Sequence, residues 1–270
     1  RDTGGMCGIA GYSFGSKSSM ARTLAAQALL AGIAERGADA AGYAHRGSGA
    51  AVTIHKRRAG ASALLDEIQV PGASTQVLIH VRDYTKGHPT IEANNHPIRH
   101  GAVVGIHNGI IVNDEEIFAH YGFDRAHPDM TVDSEAIFAL AEHAEGSPEA
   151  LEELYGAMAT AWLDERVPST LFVARAVGRP LWVGTASKEL FFASTRDALE
   201  VLERALRLTL RKREVDEGTL LRIEDGRVAQ AARFRPDRSY VEETVLPAVR
   251  APHEGASCLQ RLAAILAAAA

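Results

Sequence analysis

The chain has 270 residues, 46% of them hydrophobic, enough for one large domain or two small ones with a substantial core. A formal charge of -5 argues against nucleic-acid binding as the main task, and no apolar run is long enough to span a bilayer. The two cysteines, Cys7 and Cys258, lie at opposite ends and do not read as a disulfide framework, so a reducing cytoplasm is the expected compartment.

In chain order, residues 7–12 predict a first strand and residues 20–34 a helix. Leu24, Leu29, Leu30 and Ile33 share one broad apolar face of that helix, and its alanines favour the state. Residues 35–42 read as a glycine-bracketed turn. Val52 and Ile54 alternate with Thr53 and His55, a strand signature; residues 76–82 give another strand and 102–106 a third, short and apolar. Asn113 followed by Glu116 predicts a capped helix running towards Tyr121, and residues 133–145 a further helix with Ile137, Leu140 and Ala141 inward. Ser147-Pro148 reads as the N-cap and first turn of another. Short strands follow at 157–163, 170–176, 181–184 and 190–193, then a helix at 195–202. Strands at 206–212 and 218–228 come next, the second turning at Asp225-Gly226, and 257–270 reads as an alanine-rich helix or frayed tail. Strands with interspersed helices and short hairpin-like connections predict an α+β layered domain; a doubly wound parallel sheet fits less well.

Chemistry-bearing residues gather in a few places. Cys7 follows Met6 and precedes small residues. Removal of that methionine would leave a thiol beside a free α-amine, a built-in base titrating at about 8. Four further clusters are Glu35-Arg36-Gly37 with Asp39-Ala40-Ala41-Gly42, the His80-to-Gly87 strand and loop followed by Asn94-Asn95-His96-Pro97, His107-Asn108-Gly109, and Asp133-Ser134-Glu135. Each has an ordinary reading alone: Asn108-Gly109 as a turn, Arg82 as a solvated strand end, Asp133 as a helix N-cap. His80, His96 and His107 lack close ligand spacing and the chain has no CxxC, so neither a metal nor a cofactor is expected.

Together these clusters follow one order: Cys7-Gly8-Ile9, Arg36-Gly37, Arg82 with Thr85 and Gly87, His96-Pro97, His107-Asn108-Gly109-Ile110-Ile111, then Asp133. The ordered set resembles the class II glutamine amidotransferases, most nearly the glutaminase domain of glucosamine 6-phosphate synthase. The resemblance covers residues 6–227 and is densest in the first half. It implies a four-layer αββα N-terminal nucleophile hydrolase fold and hydrolysis of L-glutamine to glutamate and ammonia through a thioester. By the same resemblance Cys7 is the nucleophile, Asn108 and the Gly109 N–H form the oxyanion hole, and Arg36 steadies the nucleophile's surroundings. Arg82, with Thr85 and Gly87, holds the substrate α-carboxylate, and Asp133 accepts from the α-ammonium group.

The resemblance has departures. Asp83 stands where the synthase pattern has a tryptophan that gates an ammonia channel, and Lys86 replaces a histidine. Residues 1–5 are expected to lie outside the mature chain, residues 6–245 to form the amidotransferase domain, and residues 246–270 a helical tail. The implied partner is a separate ammonia-accepting synthase subunit, with neither nucleic acid nor membrane; the sequence does not specify an oligomeric state. Two other readings stay open: a hydrolase of another γ-glutamyl compound, and a non-catalytic glutamine-sensing homologue.

Overall fold

Two antiparallel sheets stack face to face, and the apolar residues that alternate along their strands explain the layering. The computed structural model describes residues 7–47, 49–242 and 247–269. The reading of Met6 as a start, the segment 1–5 and the expected boundary at 245 lie outside these. In chain order the first elements are β1 (Gly8–Phe14), α1 (Arg22–Ile33), β2 (Ala40–Arg46), β3 (Val52–Arg57), α2 (Ala61–Leu65) and β4 (Gln76–Arg82). Then come β5 (Ile98–His100), β6 (Val103–Ile111), α3 (Asp114–Tyr121), α4 (Glu135–His143), β7 (Gly156–Asp164) and β8 (Thr170–Arg175). The chain continues with β9 (Trp182–Thr185), β10 (Glu189–Ala193), α5 (Arg196–Leu206), β11 (Arg211–Glu214), β12 (Thr219–Glu224), β13 (Arg227–Arg233) and α6 (Pro252–Ala268).

The first sheet has the order β11-β9-β10-β1-β4-β2-β3 and the second β13-β12-β8-β7-β6-β5. Successive side chains on a strand point to opposite faces. On β1, Ala10, Tyr12 and Phe14 pack towards α1 and α5, while Ile9 faces the other sheet. On β6, Val103 and Ile111 pack towards α3 and α4, while Val104 and Ile106 face inward. Three apolar layers result: helices on sheet, sheet on sheet, and sheet on helices. This is the four-layer αββα arrangement. No helix among the described residues is long and apolar enough to cross a membrane.

Most elements fall where the sequence puts them; several differ for physical reasons. Residues 40–46 form a full strand, hidden in the sequence because alanine and glycine are poor strand formers. Gly42 is needed there, since a Cβ would lie 2.3 Å from the His96 carbonyl. The strand expected to end at 106 runs on to Ile111, carrying Asn108 and Gly109 inside the sheet and not in a turn. Residues 206–210 are not strand: the helical spacing of Leu199, Leu202 and Ala205 extends α5 to Leu206, and Arg207 ends it in the left-handed conformation. The Asn113–Glu116 capping box is not made, because Asn113 instead bridges to Glu153 O and Tyr155 N. The turn at Asp225-Gly226 has φ values of 48° and 73°, the pair a two-residue hairpin favours.

The last helix begins earlier than read, at Pro252, and buries Cys258 and Leu262 in the layer shared with α1 and α2. Helix α5 sits on the same layer, with Leu199 fully buried. Leu199→Ala should cost about 2–5 kcal/mol of unfolding free energy in urea denaturation, the range for removing a buried leucine from a layer that cannot collapse around the gap.

Candidate active site

The site lies at one end of the inter-sheet layer, and strand period explains its membership. Cys7 immediately precedes β1, whose Gly8 pairs with Val81 of β4, so Cys7 lies beside Arg82 at the end of that strand. Arg82 falls on the same alternation as the inward-facing Leu78. Asn108 on β6 shares the inward alternation of Val104 and Ile106 in the facing sheet. The main-chain nitrogen of Cys7 donates to Asn108 Oδ1 at 3.4 Å, joining the sheets at this point. Asn108 Nδ2 is buried and makes no hydrogen bond among the described residues.

The other predicted residues take distinct places. Arg36, in a 3-10 turn after α1, donates from Nε to the Cys7 carbonyl at 2.8 Å. Gly109 lines a cavity of about 10 Å³ with Cys7, Arg82, Thr85, Lys86 and Asp133. Its φ of 147° and a hypothetical Cβ only 1.9 Å from the Ala157 carbonyl explain the glycine. Asp133 precedes α4 and accepts from the Ile111 N–H at 2.6 Å. Arg36, Asn108 and Gly87 are not on the cavity wall; the first two brace Cys7 from behind, and the Gly87 carbonyl accepts from Arg82.

Arg82 is buried, and its guanidinium donates to Asn95 Oδ1 at 2.6 Å, to the Lys86 carbonyl at 2.9 Å and to the Gly87 carbonyl. Asn95 in turn donates to the Pro89 carbonyl at 2.8 Å. The loop at 83–88 is therefore folded down on the arginine, and the cavity left has room for about one water molecule.

Burial sets the electrostatics. Cys7 keeps some exposure as a residue, but burial of its thiol pushes the pKa up to about 11, opposed by the hydrogen bond to Asp83 O and by Arg82. Burial likewise raises Asp133 to about 6, against the Ile111 hydrogen bond. His80 and His107 are pushed down to about 3 and His96 well below its usual range, again by burial first. All three are neutral. His80 stacks on His96 at 4.2 Å, and His107 meets Ser134 Oγ at 2.8 Å. These histidines pack the site's walls.

Two contributors were missed by sequence reasoning. Asn95 lay in a highlighted cluster but was given no role. Arg250, whose Nε donates to Asp83 Oδ2 at 2.8 Å, had no sequence signal, since only folding brings it across 167 positions. A larger, open groove of about 1000 Å³ lies elsewhere, along β2 and β3, lined by the stacked rings of Tyr43, His45 and His55. It contains no cysteine, and neither Cys7 nor any of the predicted site residues lines it.

A cysteine thiol at the end of an αββα sandwich thus lies beside a buried side-chain amide and a buried guanidinium. The chain belongs to the class II glutamine amidotransferases. Residues 85–201 match the family model described as a glutamine amidotransferase domain. Among curated proteins the chain is similar to glutamine–fructose-6-phosphate aminotransferase (isomerizing) of Vibrio parahaemolyticus, at 32% identity over 81% of this chain and 35% of that protein. The enzyme of the same name from Escherichia coli is 32% identical over 72% of this chain and 32% of its own length. The chain thus spans about a third of the length of these relatives. Among solved structures, glutamine phosphoribosylpyrophosphate amidotransferase from B. subtilis shares the fold with a TM-score of 0.65 at 20% identity, covering 84% of this chain and 49% of that one. A glutamine aminotransferase class-II domain protein from Silicibacter pomeroyi gives 0.54 at 17% identity, covering 85% and 100% respectively.

The thiol's environment is directly measurable. Iodoacetamide alkylation of Cys7 should keep rising with pH beyond 9, towards its midpoint at about 11. A plateau already reached at pH 8 to 9 would contradict the burial seen here.

Proposed function

We propose that this chain hydrolyses the side-chain amide of L-glutamine, with Cys7 as nucleophile, and hands the ammonia to a synthase site outside the described residues. The observation that carries the reading is the meeting of Cys7 and Asn108: the amide oxygen faces the cysteine nitrogen, leaving Nδ2 a buried donor with no acceptor among the described residues. A buried unsatisfied donor costs roughly 1–3 kcal/mol, so it is a place where developing negative charge is rewarded.

With a pKa of about 11, only about one thiol in ten thousand is ionised at pH 7, so attack needs a base. None of the neighbouring histidines suits the role, because all three are buried and weakly basic. The α-amine of a Cys7 that begins the mature protein titrates at about 8 and belongs to the same residue as the thiol. Asn108 Oδ1 accepts one of its N–H groups and fixes its orientation. The amine takes the thiol proton as Sγ attacks the amide carbon. The C–N bond then breaks while the amine returns that proton to the leaving nitrogen, and ammonia departs. Water attacks the thioester, the S–C bond breaks, and glutamate leaves with the thiol restored. Asn108 Nδ2 and the Gly109 N–H donate to the oxyanion in both tetrahedral states.

Arg82 takes the α-carboxylate by exchanging the Lys86 and Gly87 carbonyls for charge-assisted bonds, with Thr85 beside it. Asp133 takes the α-ammonium group. Glutamine is far larger than the cavity of about 10 Å³, so the 83–88 loop yields on entry.

The test is a glutaminase assay on protein whose first residue, by mass spectrometry, is Cys7. Cys7→Ala should abolish turnover while retaining glutamine binding, and Asn108→Ala should lower kcat by about 10² or more with KM little changed. Full activity in a form that keeps the residues before Cys7 would remove the α-amine from the mechanism. Calorimetry on the Cys7→Ala protein, comparing glutamine with bulkier γ-glutamyl amides, decides the substrate: tighter binding of the larger amides would overturn glutamine.

Asp133 gives a pH prediction with a defined sign. Its native pKa of about 6 lies above the unfolded value, so its ionisation opposes folding as pH rises through that interval. Asp133→Asn should therefore be more stable than the parent at pH 7, the gain vanishing below about pH 4, while glutamine binding weakens at least about tenfold. In the parent, KM should rise as pH falls through about 6, where the ammonium loses its anionic partner. A KM flat between pH 5 and 7 would take Asp133 out of the substrate clamp.

A further inference from the structure

We infer that Arg250 is a positioning residue for Cys7, acting through Asp83, an inference that rests on the reading of Cys7 as the nucleophile. The Cys7 thiol donates to the main-chain carbonyl of Asp83 at 3.5 Å. The carboxylate of the same residue accepts from Arg250 Nε at 2.8 Å, with side-chain exposures of 20% for Asp83 and 35% for Arg250. One residue thus contacts the thiol through its backbone and the arginine through its side chain.

Arg250 is itself well anchored. Its main-chain N–H and that of Ala251 both donate to the Glu35 carbonyl, at 2.9 and 2.8 Å. Glu35 adjoins Arg36, whose Nε holds the Cys7 carbonyl at 2.8 Å. One turn into α6, Glu254 Oε2 accepts from the Ser62 N–H at 2.8 Å, and Cys258 and Leu262 are buried against the first helical layer. The segment 250–254 therefore grips both supports of Cys7: the turn behind its carbonyl and the loop in front of its thiol.

The far end of that loop has its own anchor, Lys86 on Asp114 at 2.7 Å, and Arg82 binds the carbonyls of Lys86 and Gly87. Neither of these bonds fixes the Asp83 carbonyl. The peptide that carries it is held on one side by the Tyr84 N–H, which donates to Asp39 Oδ2 at 2.9 Å, and on the other by Arg250, whose ion pair fixes the side chain of the residue whose oxygen faces Sγ. A partly shielded pair on an anchored arginine keeps more of its strength than one in open solvent. Releasing it frees the thiol to leave its attack orientation while Arg82 and Asp133 still grip the substrate.

The test is a double-mutant cycle on the full chain with Cys7 at its mature N-terminus, using Arg250→Ala, Arg250→Lys, Asp83→Asn and the double variant. Arg261→Ala, which removes the ion pair of α6 with Asp66, serves as the control for loosening the helix. Arg250→Ala should lower glutaminase kcat about tenfold with KM within about twofold, since thiol orientation matters to attack and not to binding. Arg250→Lys should recover part of the loss. Asp83→Asn should reproduce it without touching α6, and the double variant should be no worse than either single. The alkylation profile of Cys7 should change with Arg250→Ala and Asp83→Asn and stay unchanged with Arg261→Ala. Additive effects of the two substitutions, a rise in KM at constant kcat, or equal losses from Arg261→Ala would overturn the positioning role. If the parent lacks glutaminase activity the functional reading fails, and the alkylation cycle still decides whether Arg250 orients the thiol.

Discussion

The site depends on the two-residue period of a β-strand applied twice, in two sheets stacked face to face. Cys7 at the start of β1 and Arg82 at the end of β4 are neighbours because those central strands are antiparallel and paired from Gly8 to Val81. Asn108 reaches them because it takes the inward alternation of Val104 and Ile106 in the facing sheet. A one-residue slip in β6 would turn that amide towards α4 and bring His107 into the sandwich. The apolar inter-sheet layer, with Leu78, Val104, Ile106 and Phe192, enforces the register by making any slip expose core residues.

The same burial that fixes the geometry sets the chemistry. Removing Cys7, Asp133, His80, His96 and His107 from water favours the neutral form of each, raising the acids and lowering the bases. The thiol is protonated and the imidazoles are neutral, and the proposed mechanism reserves Asp133 for the substrate ammonium group; on that proposal the cysteine's own amine is the base. Asp133 and Arg82 are the charged exceptions, and each is strained relative to water: Asp133 titrates high and Arg82 low. On the proposed function a zwitterionic substrate would complete both pairs, and the strain would be the cost of keeping a place for it.

The loop at 83–88 is held by interactions of different origin. Arg82 holds it from the strand it follows, the Tyr84 N–H donates to Asp39, Lys86 ties it to Asp114, and Arg250 ties it to the segment leading into α6. Asp114 is almost fully buried and also pairs with Arg125, which continues to Glu135 and His100, so the Lys86 anchor is part of a network. The tryptophan expected at position 83 from the synthase resemblance could not make the ion pair that Asp83 makes. This departure in sequence therefore has a structural counterpart in Arg250.

Much of this was legible in the sequence. Strand and helix periods over residues 20–34, 76–82 and 157–193 follow from local alternation, and the order of Cys7, Arg36, Arg82, Asn108, Gly109 and Asp133 in the chain resembles one family's. What lay beyond the sequence was long-range. The strand at Ala40–Arg46 has weak local propensity and exists because neighbours on both sides complete its hydrogen bonds. Asn108 and Gly109 look like a turn in isolation and are strand because β7 pairs with them. The Asp83–Arg250 pair spans 167 positions, and no local pattern marks two residues that meet only after α6 docks. The sequence by itself determined which side chains could perform the chemistry, because composition and order travel with the chain. Only the tertiary structure decided which of them touch, because contact between distant residues is a property of packed layers and not of neighbouring positions.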